Sequence, residues 1–129
     1  MSTFNTFEEI ESWQMGRKLT QAVYAASKSG EFSRDWGLKD QIRRASVSIT
    51  SNIAEGFERS STREFIRFLD IAKGSAGEVR SQLYVALDEG YIDRESFERL
   101  RRQSTMVGKK IGGLMSYLRR HDQRTTRNP

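Results

Sequence analysis

Cysteine is absent from the sequence, proline is nearly absent and long apolar runs do not occur, and each scarcity excludes a class of structure. A chain without cysteine forms no disulfide, which suits a reducing cytoplasm. The one proline is the last residue, Pro129, so proline interrupts no helix inside the chain. No stretch approaches the ~20 consecutive apolar residues of a membrane helix, and the N-terminus lacks the basic and apolar regions of a signal peptide. We therefore expect a soluble, cytoplasmic protein with no membrane partner.

Candidate metal ligands and catalytic bases are equally scarce. The single histidine, His121, lies near the C-terminus, and no Glu-x-x-His pair of the di-iron type occurs. A Ser–His–Asp arrangement would have to use that same His121 as its base. The glycine-rich stretch GSAG at 74–77 follows no strand and lacks the spacing of a phosphate-binding loop. The sequence therefore predicts a protein without catalytic site, metal, cofactor or small-molecule substrate.

Apolar residues recur at steps of three and four along most of the chain, and no stretch alternates with the period of two that a strand requires. This spacing predicts four helices, over residues 7–28, 35–58, 61–90 and 94–120. Short connections between long helices make consecutive helices antiparallel neighbours. We therefore predict an all-α domain over residues 1–118, an antiparallel up-down-up-down four-helix bundle, followed by a basic, disordered tail over residues 119–129.

Local signals indicate where the helices begin. The segments Thr6 to Glu9 and Ser61 to Glu64 each match a capping box, in which a hydroxyl group caps the helix and a glutamate three positions later bonds back to the cap. Asp93 is placed to cap the fourth helix. The segment GEFSRDWG at 30–37 is predicted as a loop between the first two helices.

The second, third and fourth helices each carry one continuous apolar stripe, whose residues are predicted to form the core. The third helix is also apolar beside its stripe, which indicates contact with another subunit. The residues beside the stripe are Ile66, Phe68, Ile71 and Val85. The stripe residues are Leu38, Ile42, Ala45, Ile49, Ile53 and Phe57, then Phe65, Leu69, Ala72, Ala76, Val79, Leu83 and Ala86, then Phe97, Leu100, Ser104, Val107, Ile111, Leu114 and Leu118.

Five glycines lie inside the third and fourth predicted helices, where each costs about 1 kcal/mol relative to alanine. A cost repeated this often indicates that the glycines permit close contacts between helices, although tolerated, exposed glycines would explain one or two of them. The five are Gly74, Gly77, Gly108, Gly112 and Gly113.

The stretch SITSNIAEGFER at 48–59 interrupts the apolar pattern with hydroxyl, amide and carboxyl side chains. An enzyme would use Glu55 as a base together with the neighbouring hydroxyl groups, but no partner that activates a nucleophile accompanies it. The interpretation we favour is a structural seam between helices. In that seam, Asn52 and Glu55 hydrogen-bond a neighbouring helix or the free N–H groups at the start of the third helix.

Glu78 is predicted to belong to the same polar seam. Folding the second and third helices back on each other at Arg59 places Glu78 opposite the helical turn that carries Arg43 and Arg44. We therefore expect a partly buried ion pair between Glu78 and one of these two arginines.

The formal charge is +5, with a sequence pI of about 9.8, and such a balance suits nucleic acid as a partner. The last eleven residues carry four arginines against Asp122 and contribute +3, which leaves +2 for the rest of the chain. On the third helix, arginines alternate with Phe65 and Phe68, as on a surface that stacks nucleic-acid bases. Aromatic residues at helical spacing are more often part of the core, and this is how we interpret Phe65 and Trp13. The predicted nucleic-acid contacts are Arg63, Arg67, Arg119, Arg120, Arg124 and Arg127.

One family resemblance accompanies these patterns, and its most specific residues lie in the second and third helices. They are Ser51-Asn52-Ile53-Ala54-Glu55-Gly56-Phe57, then Arg59, Glu64, Phe65 and Arg67-Phe68-Leu69, and later Gly74-Ser75-Ala76, Glu78 and Gln82-Leu83. With these residues the chain resembles the bacterial four helix bundle proteins, also called ribosomal RNA intervening-sequence proteins because some are encoded within large-subunit rRNA genes. The likeness extends from Trp13-Gln14 through the fourth helix. The family often has proline where this chain has Ser33 and Thr50.

The resemblance implies a bundle that assembles as a homopentameric ring, distantly related to the accessory proteins of diversity-generating retroelements. Those relatives are thought to bind nucleic acid and a reverse transcriptase, while the family itself has no established activity. The resemblance identifies Ser51, Asn52, Ile53, Ala54, Glu55, Gly56 and Glu78 as a structural motif. The sequence therefore favours a self-assembling accessory or scaffold protein associated with RNA or DNA. The alternative is a protein–protein interaction scaffold with no nucleic-acid role.

Overall fold

The computed structural model of the protein describes the backbone of residues 4–126 and the side chains of residues 4–121. Within that range no strand occurs, so the predicted all-α class is confirmed. None of the described helices is both long and apolar enough to cross a membrane. The elements in chain order are a 3-10 helix at Phe7–Glu9 and the α-helices α1 (Glu11–Ala26), α2 (Gly30–Arg34), α3 (Trp36–Phe57), α4 (Thr62–Asp88) and α5 (Arg94–Thr126).

The prediction of a capping box at the N-terminus is wrong. Thr6 precedes only the 3-10 helix and caps it with no side-chain hydrogen bond, while the Glu9 carboxylate accepts from the Asn5 N–H at 3.1 Å. The chain then becomes extended at Ile10, whose side chain is buried, and α1 begins one residue later. Burial of Ile10 requires this bend, so the first helix begins at Glu11 and not near residue 7.

The segment predicted as a loop between the first two helices contains the short helix α2. It begins at Gly30, whose φ of +69° is a left-handed conformation that favours glycine. Its Phe32 side chain is buried and stacks on Tyr91 with ring centroids 5.4 Å apart. A five-residue helix is too short to be stable alone, so this tertiary contact explains why the local sequence did not predict it.

The later helix starts follow the sequence signals. Ser61 accepts a hydrogen bond from the Glu64 N–H at 3.1 Å and so caps α4, and Asp93 accepts one from the Ser96 N–H at 2.8 Å at the start of α5. The Glu64 carboxylate bonds Arg67, so the Ser61 box is only half formed. Gly90, at φ +76°, turns the chain between these two helices.

The core lies between the four long helices, because α3 and α5 each contact both α1 and α4. Ile49 and Ile53 of α3 are completely buried, as predicted. On α5, Leu114 is only half-buried and Met115 occupies the core beside it. The remaining stripe residues of α4 and α5 are all buried, and of the α3 stripe only the end residues Leu38 and Phe57 are partly exposed.

The helix continues beyond the predicted end at residue 120. None of residues 121–126 is proline or glycine, and the backbone is helical through Thr126. The start of the segment predicted as a disordered tail is therefore part of α5, while residues 127–129 lie outside the described part. His121 also belongs to this helix, with its Nδ1 atom 2.8 Å from the Tyr117 carbonyl oxygen and its ring 3.9 Å from the Tyr117 ring.

Candidate nucleic-acid interface

The polar stretch on α3 contacts α4 through the hydroxyl group of Ser48. The Ser48 and Ser75 hydroxyl oxygens are 2.9 Å apart across the two helices. Asn52 donates to the Ser48 carbonyl at 2.8 Å and to the Ser48 hydroxyl at 2.9 Å. Asn52 therefore supports the seam through its own helix, and the contact to the neighbouring helix is made by Ser48.

Glu55 lies outside the hydrogen bonds that join Ser48, Asn52 and Ser75 in this seam. Its carboxylate pairs with Arg59 at 2.8 Å on the same helix, and both side chains are about half exposed, at 53% and 46%. Neither Glu55 nor Asn52 bonds the first N–H groups of α4, and the N–H of Glu64 is taken by the Ser61 cap. Within the described residues no group of three histidine, aspartate or glutamate side chains could hold a metal ion.

The predicted ion pair between Glu78 and Arg43 or Arg44 does not form within the chain, so this prediction is wrong. The side chain of Glu78 is exposed. Arg43 donates to the Ser27 hydroxyl at 2.8 Å and lies over the Tyr24 ring, and Arg44 pairs with Asp40 at 2.8 Å. The α4 side chains that contact α3 on either side of Glu78 are Ser75, bonded to Ser48, and Gln82, bonded to Gln41.

The close helix contacts occur at other glycines than those predicted. A Cβ atom at Gly74, Gly108 or Gly113 would meet nothing within 4 Å. At Gly56 it would lie 2.7 Å from Phe68 Cβ and 3.2 Å from the Phe65 carbonyl oxygen. Among the glycines, the one that α3 and α4 pack against most tightly is therefore that of the SITSNIAEGFER stretch. Of the other two predicted positions, a Cβ atom at Gly112 would reach only the flexible end of the Lys73 side chain, and one at Gly77 only the end of Arg80. A second tight position is Gly16 on α1, where a Cβ atom would press against Ile49 and Thr50.

Phe68 is covered inside the chain and does not belong to a second apolar surface. Its side chain is 7% exposed. The guanidinium carbons of Arg59 and Arg67 each lie 4.8 Å from the centre of its ring. This close packing at Gly56 therefore gathers two cations around one aromatic ring at the turn between α3 and α4. Arg59 was not among the predicted contacts, although its position directly after the motif placed it at this turn.

Three of the predicted arginines come together beside this turn. Arg63 and Arg67 of α4 and Arg119 of α5 line one shallow depression, which we call the basic end. Ser61, Glu64, Ile66 and Asp70 complete its lining. The two helices start far apart in sequence, so the sequence alone did not show that residues 63 and 119 are neighbours.

The charges of the basic end are only partly paired. Arg67 binds Glu64 at 3.1 Å, and this hydrogen bond, with the positive field of Arg67, Arg59 and Arg63, lowers the pKa of the Glu64 carboxyl group. Arg63 and Arg119 are exposed and make no ion pair with any described residue. Arg120 is also exposed, whereas the Arg124 side chain and all of Arg127 lie outside the described residues. Two guanidinium groups are therefore available to an anionic ligand.

The chain matches the family model of the 23S rRNA-intervening sequence proteins over residues 8–113. Among solved structures it is similar to a protein of unknown function from the S23 ribosomal protein family of Bacteroides thetaiotaomicron VPI-5482, with a TM-score of 0.75 and 24% sequence identity. That similarity covers 81% of this chain and 95% of the other and concerns the fold. No functionally curated protein matches the chain. The resemblance carried by the α3 and α4 motif is thus confirmed, and the chain belongs to the family of 23S rRNA-intervening sequence proteins.

Proposed function

We propose that the protein is a non-enzymatic, self-assembling helical bundle that binds nucleic-acid phosphates through its basic end. The observation that carries the proposal is the convergence of Arg63, Arg67 and Arg119 from two helices on one depression. A guanidinium group offers a planar set of donors that matches a phosphate. Because Arg63 and Arg119 have no carboxylate partner among the described residues, a phosphate would not have to displace one.

Affinity at one basic end is expected to be low. Glu64 and Asp70 line the same depression and offset part of its positive charge. Contacts to phosphates position a protein on nucleic acid without reading its sequence, so the binding should also be poorly sequence-specific. Repetition in an assembly would strengthen it, because neighbouring sites bind one strand at high effective concentration.

We propose that the four long helices form an up-down-up-down bundle and that several copies assemble through the outer face of α4, with five as the expected number. Ile71 and Val85 are 43% and 45% exposed on this face in the single chain. They are separated by two heptads with Glu78 halfway between them, so the three lie along one line of the helix. Five copies, each with a formal charge of +5, would place about +25 on one particle.

The test is a salt-dependent titration of labelled RNA and DNA single strands with the intact protein and with the double variant Arg63→Gln/Arg119→Gln. The logarithm of the affinity should fall linearly with the logarithm of salt, by about 0.7 for each phosphate neutralised on a single strand. The double variant should flatten the slope by roughly that amount for each arginine removed. Deletion of residues 119–129 should flatten the salt-dependence slope more than the double variant does.

The charge-matched control is Arg99→Gln/Arg102→Gln, because both arginines are exposed on the opposite part of α5. This control variant should have a salt-dependence slope close to that of the intact protein, whereas the slope of the Arg63→Gln/Arg119→Gln variant should be flatter. Equal slopes for the two double variants would contradict the role of the basic end. Absence of binding to RNA and DNA at low salt would remove the nucleic-acid proposal and favour a scaffold that binds proteins only.

A further inference from the structure

The most exposed large apolar side chain of the described protein is Trp36, and it lies outside the basic end. Its side chain is 73% exposed, although it is the first residue of the long helix α3. An indole group left in water exposes a large aromatic face, and tryptophan is enriched at interfaces. A ligand with a flat aromatic face would cover it.

The backbone that carries Trp36 is held firmly. The preceding Asp35 caps α3 by accepting from the Leu38 N–H at 3.1 Å, and its second carboxylate oxygen accepts from the Tyr91 hydroxyl at 2.9 Å. The Lys39 ammonium group lies 4.3 Å from the centre of the Trp36 ring. One face of the ring therefore carries a cation, and the high exposure leaves the other face open to solvent.

A shallow groove extends from Trp36 along α3 and is lined by further cations. Arg43 lies over the Tyr24 ring at 4.3 Å and is fixed by hydrogen bonds to Ser27 and to the Tyr24 carbonyl. The side chain of Arg44 is 79% exposed and pairs with Asp40, the one carboxylate that lines the groove. The lining of the groove, which we call the Trp36 groove, comprises Tyr24, Trp36, Lys39, Asp40, Arg43, Arg44, Val47, Ser48, Ser51 and Asn52.

The charges of the Trp36 groove select among the possible occupants. Three cations against one carboxylate leave an excess of two positive charges around an exposed aromatic ring. This combination suits a strand that offers both phosphates and unstacked bases. A second copy of the chain would have to bring an acidic surface to this groove, because the groove itself carries the excess of positive charge.

We propose that the Trp36 groove binds single-stranded nucleic acid, with a base stacked on the open face of Trp36 and phosphates bound by Lys39 and Arg44. The helix rises 1.5 Å per residue, so Arg44 lies about 12 Å along α3 from Trp36, and one short strand segment can reach both. A duplex offers no free base face at this site and binds it less well. The inference rests on the proposed function for the class of partner but assigns a different surface.

The test uses the fact that the chain has only two tryptophans. In a Trp13→Phe variant, Trp36 is the sole indole fluorophore. Trp13 is half-buried and contacts the Phe7 ring, and a phenylalanine at this position can keep that aromatic contact. Short RNA and DNA single strands and the matching duplexes are titrated at low salt. We expect quenching of Trp36 emission by the single strands and much less by the duplexes. The difference in emission between the intact protein and Trp36→Phe gives the same readout without the Trp13 change.

Affinity measured by an independent label completes the experiment. Trp36→Ala should weaken single-strand binding about 5- to 150-fold, and Trp36→Phe, which keeps a stacking ring, should weaken it less. Lys39→Gln/Arg44→Gln should flatten the salt dependence by roughly 0.7 for each cation that contacts a phosphate, whereas Arg102→Gln should not.

The outcomes separate this inference from the proposed function. Binding that is unchanged by Trp36→Ala and leaves Trp36 emission unchanged, but is lost with the basic-end variant, overturns the Trp36 groove and keeps the basic end. Emission typical of a buried indole in the free protein, shifting to that of an exposed indole on dilution, assigns this face to contacts between copies and also overturns the inference. Absence of any nucleic-acid binding overturns both.

Discussion

At the scale of single residues, Gly56 decides how α3 meets α4. A side chain there would collide with the Cβ atom of Phe68, which moves only if the α4 backbone moves. The short distance lets Phe68 pack beneath the end of α3, where Arg59 and Arg67 then cover its ring. One missing methyl group thus positions the aromatic and cationic side chains of this turn.

We predict that Gly56→Ala destabilises the protein. The clash should cost about 1–3 kcal/mol by overpacking, which exceeds the gain of up to about 1 kcal/mol from a better helix former. Gly74→Ala is the matched control, because its Cβ would meet nothing and the substitution should raise stability by about 0.4–1 kcal/mol. Urea denaturation of both variants measures these differences. A Gly56→Ala protein as stable as the original would show that α4 can move away without cost.

The cap of α5 makes stability depend on pH. The hydrogen bond from the Ser96 N–H to Asp93 lowers the pKa of this carboxyl group below the ordinary aspartate value. A lowered pKa in the folded state means that the ionised carboxylate stabilises the fold above the unfolded-state pKa. That contribution is lost as the pH falls through the lower, folded-state pKa.

We therefore predict that Asp93→Asn, which keeps a capping oxygen but no charge, lowers stability at neutral pH and that the difference from the original protein shrinks at acid pH. Denaturation curves at pH 7 and at steps down to pH 3 measure it, and NMR titration of the Asp93 carboxyl group gives its pKa directly. A difference that stays constant across this range would contradict the charged cap.

At the scale of elements, α3 presents different chemistry on each side. Its apolar stripe faces the core, and Ser48 and Asn52 face α4. Its remaining side, which begins at Trp36, faces solvent near the end of α1. The polar stretch that interrupts the helical pattern therefore has two contacts, because Ser48 and Asn52 form the seam with α4 and also line one end of the Trp36 groove.

We predict energetic coupling across that seam. Ser48→Ala and Ser75→Ala should each cost about 1 kcal/mol, because each leaves a largely buried hydroxyl group with one partner fewer. The double variant should cost less than the sum, with a coupling energy of at least about 0.5 kcal/mol in a double-mutant cycle. Ser51→Ala with Ser81→Ala is the control, since both are exposed and should be additive. Additivity in the Ser48 and Ser75 cycle would mean that their hydrogen bond does not form in solution.

At the scale of the whole molecule, the exposed apolar residues of α4 adjoin the basic end, whereas the Trp36 groove lies on α3. Ile71 and Val85 expose apolar surface on α4, while Arg63 and Arg119 of the basic end and Lys39 and Arg43 of the Trp36 groove are cations without a carboxylate partner among the described residues. Apolar surface of this kind is normally covered in an assembly, and cations repel one another when crowded together. An assembly that uses the α4 face has to accommodate Arg67, which lies one turn before Ile71 on the same helix.

We predict that the protein is a closed oligomer at micromolar concentration, with a mass near five times that of the 14.9 kDa chain. Ile71→Glu/Val85→Glu should dissociate it, because charges would replace the apolar contacts. Met106→Glu is the control, since Met106 is similarly exposed on α5. Light scattering gives the masses, and a mass near that of a single chain for the original protein would refute the assembly.

The sequence by itself determined which residues are buried, because the helical period of its apolar residues continues over several turns and almost all members of the α3, α4 and α5 stripes lie in the core. It also determined the family, through the motif around Gly56. The tertiary structure decided which glycine permits a close contact, which arginines meet, and that Glu78 has no partner on α3. Periodicity gives the direction of a side chain around its own helix, whereas these contacts depend on the distance and offset between two helices. Those quantities arise from packing many side chains at once, and no single stretch of sequence contains them.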